Sequence, residues 1–258
     1  MKLLALDTAS ELCSAALWLD GQLLWRETLA PRAHAALILP MIDELLEEGG
    51  CRLTALDAVA FGRGPGAFTG VRLAAAIAQG LGFAAGRPLI AISDLRAIAA
   101  QALEHEGSAT RVLVCQDARM QEVYWGCFER IQVRGVATLQ PVGPEAVAVS
   151  GAVELPPGWR SAAHAHAQAL AHAQAQVPAQ AQGLQVLGAG SGFAADPELS
   201  RRLRPDLAVI LPRLQPRARE IARLAAEDGL GAAVSAEEAL PVYLRDRVAV
   251  APAGGRDS

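Results

Sequence analysis

The sequence predicts an α/β fold built as two related lobes, the second smaller than the first. Apolar runs of strand length alternate with stretches of helical period along the first part of the chain. Two strand-like runs, Leu3–Thr8 and Val112–Gln116, carry an aspartate at or just past their ends, Asp7 and Asp117, and each leads into another strand. A chain of 258 residues is also long enough for one large domain or for two similar lobes. The expected division is 1–108 for the first lobe and 109–258 for the reduced second lobe.

The opening run Leu3–Thr8 suits a buried strand whose polar end emerges at a sheet edge. Leu12–Leu19 and Gln22–Leu29 flank Asp20-Gly21, and a D-G pair between two apolar runs is a strong hairpin signal. From His34 to Glu48, Leu37, Ile38, Met41, Ile42, Leu45 and Leu46 recur at helical spacing, with acids opposite and Gly49-Gly50 as the stop. Leu56–Phe61 reads as a fourth strand, and Thr69–Ala85 as a helix of mostly small residues. Pro88–Ile92 adds a fifth strand and Asp94–Glu104 a third helix. The order βββαβαβα is that of the first lobe of an actin-like ATPase domain.

In the second half, Val112–Gln116 and Glu122–Arg130 repeat the opening strand pair. Laying Asp117 on Asp7 places Val123–Phe128 over Cys13–Trp18, a faint internal duplication. From Ser161 to Gln182 the chain becomes an alternation of Ala with His and Gln, read as a low-complexity insertion without a rigid ligand frame. Order resumes at Leu184–Gly188, followed by a glycine-rich loop Ala189–Gly192, a strand within Asp206–Leu211, a helix around Pro216–Glu227 and a last piece ending near Val250.

Composition narrows the function. A hydrophobic fraction of 52% with only 4% aromatics describes an alanine- and leucine-rich globular protein. Lys and Arg total 23 against 27 for Asp and Glu, a net charge of −4, so no global positive field collects phosphates. If RNA is involved, another subunit holds most of it. Cys13, Cys51, Cys115 and Cys127 stand far apart without a C-x-x-C pair, which predicts reduced thiols rather than a zinc site or a disulfide framework. No apolar run of about 18 residues is present for a membrane span, and Met1-Lys2-Leu3-Leu4 runs straight into a strand pattern, so no signal peptide and a cytoplasmic location are expected.

The most distinctive stretch is Gly62-Arg63-Gly64-Pro65-Gly66-Ala67-Phe68-Thr69-Gly70-Val71-Arg72, between a strand and a helix. It could offer backbone N–H groups to an anion, yet it fits neither G-x-x-x-x-G-K-[ST] nor G-x-G-x-x-G. A tight turn that packs strand against helix and presents Phe68 accounts for it better. Asp7 could orient a metal-bound water in an actin-like kinase, but no glycine lies in Thr8-Ala9-Ser10-Glu11-Leu12 to let backbone amides reach phosphate. Hydrogen bonding at the strand end is the plainer role. No His-Glu-x-x-His is present. His34 is expected to cap or to serve an interface, His105 to complement a helix C-terminus, and Ser191 lacks the G-x-S-x-G elbow. Pro241-Val242-Tyr243-Leu244-Arg245-Asp246 reads equally well as a closing segment docked on the second lobe or as a binding element.

Over nearly its whole length the sequence resembles one family, TsaB, also called YeaZ. The resemblance rests on LALDTASELCSAAL, RAHAALILPMIDELL, AFGRGPGAFTGVRLAAAIAQGL, DARMQEVYWGCF and PVYLRDRVA, in that order. It implies an actin-like (ASKHA, ribonuclease H-like) two-lobed fold related to TsaD, with no complete nucleotide or metal site and no catalytic residue of its own. It further implies a scaffold role in threonylcarbamoyl modification of the adenosine beside the anticodon in tRNAs reading ANN codons. The implied partners are TsaD in a heterodimer, TsaE in a ternary complex, the threonylcarbamoyl-adenylate synthase as a functional link, and a second copy when the chain is alone. No cofactor is expected on this chain by itself; the interface with the partner is where ATP or ADP would be sought. The family's helical interface maps onto Arg32, His34, Leu37, Ile38, Met41, Leu45, Phe68, Thr69, Arg72 and Ala76. Ala67 stands where the family usually has serine, and Ala74 where glycine is common. A small-molecule kinase or ATPase of the same fold is the competing reading.

Overall fold

In a computed structural model, which describes residues 1–133, 135–160 and 185–245, the first lobe is a five-stranded sheet in the order β3-β2-β1-β4-β5. Its strands are β1 (Lys2–Asp7), β2 (Leu12–Leu19), β3 (Gln22–Leu29), β4 (Ala58–Gly62) and β5 (Leu89–Ile92). The first three form an antiparallel meander, and β4 and β5 run parallel to β1. Asp20 and Gly21 have φ of 50° and 102°, the backbone a two-residue hairpin turn requires if it is to match the strand twist.

Side-chain alternation along the strands gives this sheet two apolar faces. On one face Leu4, Leu6, Ala15 and Leu17 meet α1 (His34–Glu48) and α2 (Phe68–Ala85) through Ile38, Ile42, Leu45, Ala74, Ala75 and Ala78. On the other face Leu3, Ala5, Ala16, Ala58 and Ala60 belong to the core shared with the second lobe. Among the described residues α2 alone is long and apolar enough to cross a membrane. One side of it, with Val71, Ala74, Ala75, Ala78 and Gly82, is buried in the fold.

The second lobe repeats the first. Its strands β6 (Arg111–Asp117), β7 (Glu122–Val133), β8 (Val136–Pro141), β10 (Val186–Ala189) and β11 (Val209–Leu211) lie in the order β11-β10-β6-β7-β8, and β9 (Ala146–Val149) pairs with β7. Strand directions match as well, antiparallel for β6-β7-β8 and parallel for β6-β10-β11. The duplication is therefore a property of the topology. Asp7 faces Ser14 whereas Asp117 faces Val123, so Val123 corresponds to Ser14 and not to Cys13, one residue from the alignment read off the sequence. In place of α2 the second lobe has two short helices, α4 (Gly192–Ala195) and α5 (Pro197–Leu203). The Ala/Gln/His insertion at 161–182 and the end of the expected last piece lie outside the described residues. The sequence reading does not include β8, β9, α4 and α5.

The equivalent last helices of the two lobes, α3 (Asp94–His105) and α6 (Ala218–Asp228), exchange sheets. The helix α6 packs on β1, β2, β4 and β5, and α3 packs on β6, β7, β8 and β10. One continuous core results, in which Ile98, Ala102, Ile221 and Ala225 join strand residues of both lobes. The two sheets therefore share one core.

Candidate functional site

The carboxyl ends of the parallel strands β1, β4 and β5 meet at one edge of the first sheet, where α/β proteins usually receive ligands. Asp7 ends β1, Gly62 ends β4, and Ser93 with Asp94 begins α3. All four are buried, with Asp7 and Asp94 at 0% exposure. The chain fills this edge with its own backbone. The Thr8 hydroxyl donates to the Gly70 carbonyl at 2.6 Å, and the Ala67 N–H donates to the Ala9 carbonyl at 2.8 Å. A methyl group on Gly66 would lie 2.6 Å from the Ala9 carbonyl oxygen, and one on Gly70 would overlap the Thr8 carbonyl. The glycine-rich stretch is thus the close-packing turn that its spacing suggests. Gly70→Ala is expected to cost about 2–3 kcal/mol by forcing α2 away from the β1–β2 turn, a loss measurable by chemical denaturation; an unchanged midpoint would mean the turn yields freely.

Asp7 and Asp94 point at the same point in space from two directions. A methyl group on Gly62 would sit 2.5 Å from Asp7 Oδ1 and would also clash with Asp94 Oδ1. Asp7 Oδ1 accepts the Ala9 N–H at 3.0 Å, the strand-end role expected from sequence, but Asp7 Oδ2 and both carboxylate oxygens of Asp94 have no hydrogen-bond partner. Burial pushes the Asp7 carboxyl up to about 7 against two opposing backbone hydrogen bonds. Burial, and then the Asp7 charge, hold Asp94 well above the usual carboxylate range. Around them, Glu145 from the second lobe accepts from the Ser93 hydroxyl and pairs with Arg63 at 3.1 Å, closing the crevice between lobes. The backbone N–H of Ala218 at the start of α6 donates to Ser14 Oγ at 2.9 Å. Among the described residues no group of three or more His, Cys, Asp or Glu is arranged to hold a metal. The four cysteines are free thiols, and burial raises Cys13 to about 11 and Cys127 to about 12, so both stay protonated at neutral pH.

The outer surface of α1 and α2 is of another kind. Along α2 the exposed positions are Phe68, Thr69, Arg72, Ala76, Gly80, Phe83 and Ala84, on one side of the helix. On α1 the exposed apolar positions are Ala35, Ala36, Leu39 and Pro40. Phe83 is 81% exposed and Leu39 46%, large apolar side chains with nothing over them in the chain itself. Of the ten residues expected at an interface, Arg32, Phe68, Thr69, Arg72 and Ala76 are exposed, and His34, Leu37 and Met41 are half-buried. Ile38 and Leu45 are corrected: both are fully buried against the first sheet, because the period that marks an amphipathic helix marks the face its own sheet covers. Leu39 and Phe83 are not among the ten; Leu39 lies off the apolar stripe of α1, whereas no period sets Phe83 apart, since α2 is small and apolar almost all the way round. His34 does not cap α1, whose first turn has no side-chain cap.

Ala67 is the N-cap of α2 and supplies no side-chain hydrogen bond. Ala67→Ser is expected to stabilise the protein by about 1 kcal/mol, since a hydroxyl there can accept a free N–H of the first turn. The rise in Tm would be about 2–4 °C, and no rise would mean the cap geometry is not accessible.

Comparison with known proteins bears on what this arrangement serves. Residues 28–253 match the sequence profile of the family described as "TsaD: tRNA N6-adenosine threonylcarbamoyltransferase". The tRNA threonylcarbamoyladenosine biosynthesis protein TsaB of Escherichia coli K12 is 37% identical over 255 residues, covering 96% of both chains. The chain belongs to the TsaB family. The Haemophilus influenzae TsaB is 52% identical over 135 residues, 52% of this chain and 56% of that protein. YeaZ from Pseudomonas aeruginosa superposes with a TM-score of 0.75 at 39% identity, covering 94% of this chain and 99% of that one. A second Pseudomonas aeruginosa structure, described as similar to peptidase YEAZ, gives 0.74 at 41% identity over 95% and 99%. The chain has the two-lobed α/β fold of YeaZ, with one strand order repeated in both sheets, and membership in TsaB places it in the biosynthesis of threonylcarbamoyladenosine in tRNA.

Proposed function

We propose that this chain is a non-catalytic subunit that binds a TsaD-type threonylcarbamoyltransferase through the outer face of α1 and α2 and supports its action on tRNA. The observation that carries the reading is the exposed apolar stripe formed by Leu39, Phe68, Ala76 and Phe83 on two helices that cover one face of the same sheet. Large apolar side chains left exposed on one side of a domain point to an interaction site. The edge where a nucleotide would lie in a related kinase is packed with the chain's own Thr8, Ala9, Gly66 and Gly70, which supports assigning the chemistry to the partner. TsaE, the threonylcarbamoyl-adenylate synthase and ATP or ADP at the partner interface belong to the same reading, as do a cytoplasmic location and pairing of two copies when the partner is missing. The modified base is the adenosine beside the anticodon in tRNAs reading ANN codons.

The test is co-purification with the cognate TsaD, followed by threonylcarbamoyl transfer to tRNA with each subunit left out in turn. A stable complex whose activity needs both chains is expected. No association, or ATP turnover by this chain alone, would overturn the reading in favour of a kinase.

A further inference from the structure

The segment Pro241–Arg245 runs across both lobes. The Val242 N–H donates to the Arg63 carbonyl at 2.8 Å, beside the glycine-rich turn of the first lobe. Two residues later Arg245 donates to the Ala118 carbonyl at 3.1 Å and pairs with Glu122, in the β6–β7 turn of the second. That turn needs an anchor, because Arg119, Met120 and Gln121 all have positive φ, 63°, 57° and 61°, without a glycine among them. Between the two anchor points Tyr243 stands at the head of α2, 46% exposed.

There it meets Arg72 and Phe68. The Arg72 Nε–H donates to the Tyr243 hydroxyl at 2.8 Å, and the guanidinium carbon lies 3.7 Å above the Phe68 ring centre and 5.5 Å from that of Tyr243. Two aromatic rings and one hydroxyl thus fix the plane and direction of a cation on the apolar stripe. Among the described residues no carboxylate pairs with it. Its terminal Nη1 and Nη2 edge is left for a planar acceptor with two oxygens. Any partner that covers Phe68 and Ala76 also covers Arg72, and burying a guanidinium without an anion costs more than the apolar contact returns.

We propose that Pro241–Arg245 is part of the partner-binding face: Tyr243 and Phe68 clamp Arg72 so that it receives a carboxylate side chain from the TsaD-type partner, and Arg245 holds the clamp in place from the second lobe. This rests on the reading above that α1 and α2 form the partner face. Arg72 is then the polar specificity point of an otherwise apolar contact. Tyr243 and Arg245 act through it as positioning residues.

The test measures the affinity of the full chain for its TsaD partner by calorimetry at low and high salt, with self-association followed by sedimentation. Arg72→Gln is expected to weaken binding about 30-fold at low salt and to flatten the salt dependence, because one positive charge no longer takes part in association. Arg72→Lys should rescue little of this, because an ammonium lacks the paired donors. Tyr243→Phe, which keeps the ring and removes the acceptor, and Arg245→Gln should each weaken binding about 3–10-fold while leaving the salt slope in place. Wild-type affinity in Arg72→Gln, with binding still abolished by Leu39→Glu, would overturn the proposal and leave the partner face standing. Normal binding in both variants would sink the partner face itself. An effect of Arg72→Gln on self-association alone would assign the carboxylate to a second copy and likewise overturn the proposal.

Discussion

Asp7→Asn is expected to make the protein more stable above neutral pH and to leave its stability in acid nearly unchanged. Asp7 is wholly buried, and burial raises its carboxyl from 3.8 to about 7. A carboxyl whose folded value is raised contributes stability fully present below the unfolded value near 4, and loses it as pH rises through about 7. The folded state holds a proton there that the unfolded chain has already released. Above about pH 8 the wild-type protein therefore carries a penalty of roughly 4 kcal/mol from this one group, at 1.4 kcal/mol per pH unit.

The asparagine amide removes that ionisation and keeps the shape. Its Oδ1 can still accept the Ala9 N–H, and its NH2 can donate toward the unpartnered oxygens of Asp94. Urea denaturation of both proteins at about pH 4 and about pH 9 reads the effect directly, with the variant gaining roughly 3–4 kcal/mol over wild type at the higher pH and little at the lower. A difference that does not change with pH would mean that Asp7 is ionised in the folded state throughout. Arg63 and Glu145, which pair with each other and with Ser93 across the lobes, act electrostatically on Asp94, so the same pH range should loosen the seam between the lobes.

The pair Leu39→Glu and Phe83→Glu is expected to abolish partner binding while leaving the fold intact. Both side chains are largely exposed in the chain alone, at 46% and 81%, so their replacement should change the stability of the isolated protein by no more than about 0.5 kcal/mol. In a complex that buries them, each glutamate puts an unpaired charge into an apolar contact, and the double variant should lose more than about 100-fold in affinity. Matching melting curves together with failed co-purification is the expected pair of results. Affinity within about 3-fold of wild type would remove the outer face of α1 and α2 from the interface. The same substitution at Ile38 or Leu45 would answer a different question, since both lie in the core and the protein would unfold.

Much of the molecule follows from local pattern. The D-G turn, the full extents of β2, β3 and α1, and the glycine-rich link between β4 and α2 are set by residues that are neighbours in the chain. The order of motifs suffices to name the family. Helical period also announces that α1 has an apolar stripe.

What period cannot say is which side of an apolar helix its own sheet will cover. In α2 small and apolar residues run almost all the way round, so only packing against β1 and β4 separates buried Val71, Ala74 and Ala78 from exposed Phe68, Ala76 and Phe83. The exchange of α3 and α6 between sheets, the meeting of Asp7 with Asp94 across Gly62, and the reach of Arg245 to the β6–β7 turn join residues far apart in sequence. No local propensity encodes such meetings. They arise because two copies of one strand order bury their inner faces on a common core, and closing that core brings distant strand ends and the returning C-terminal segment to the same place.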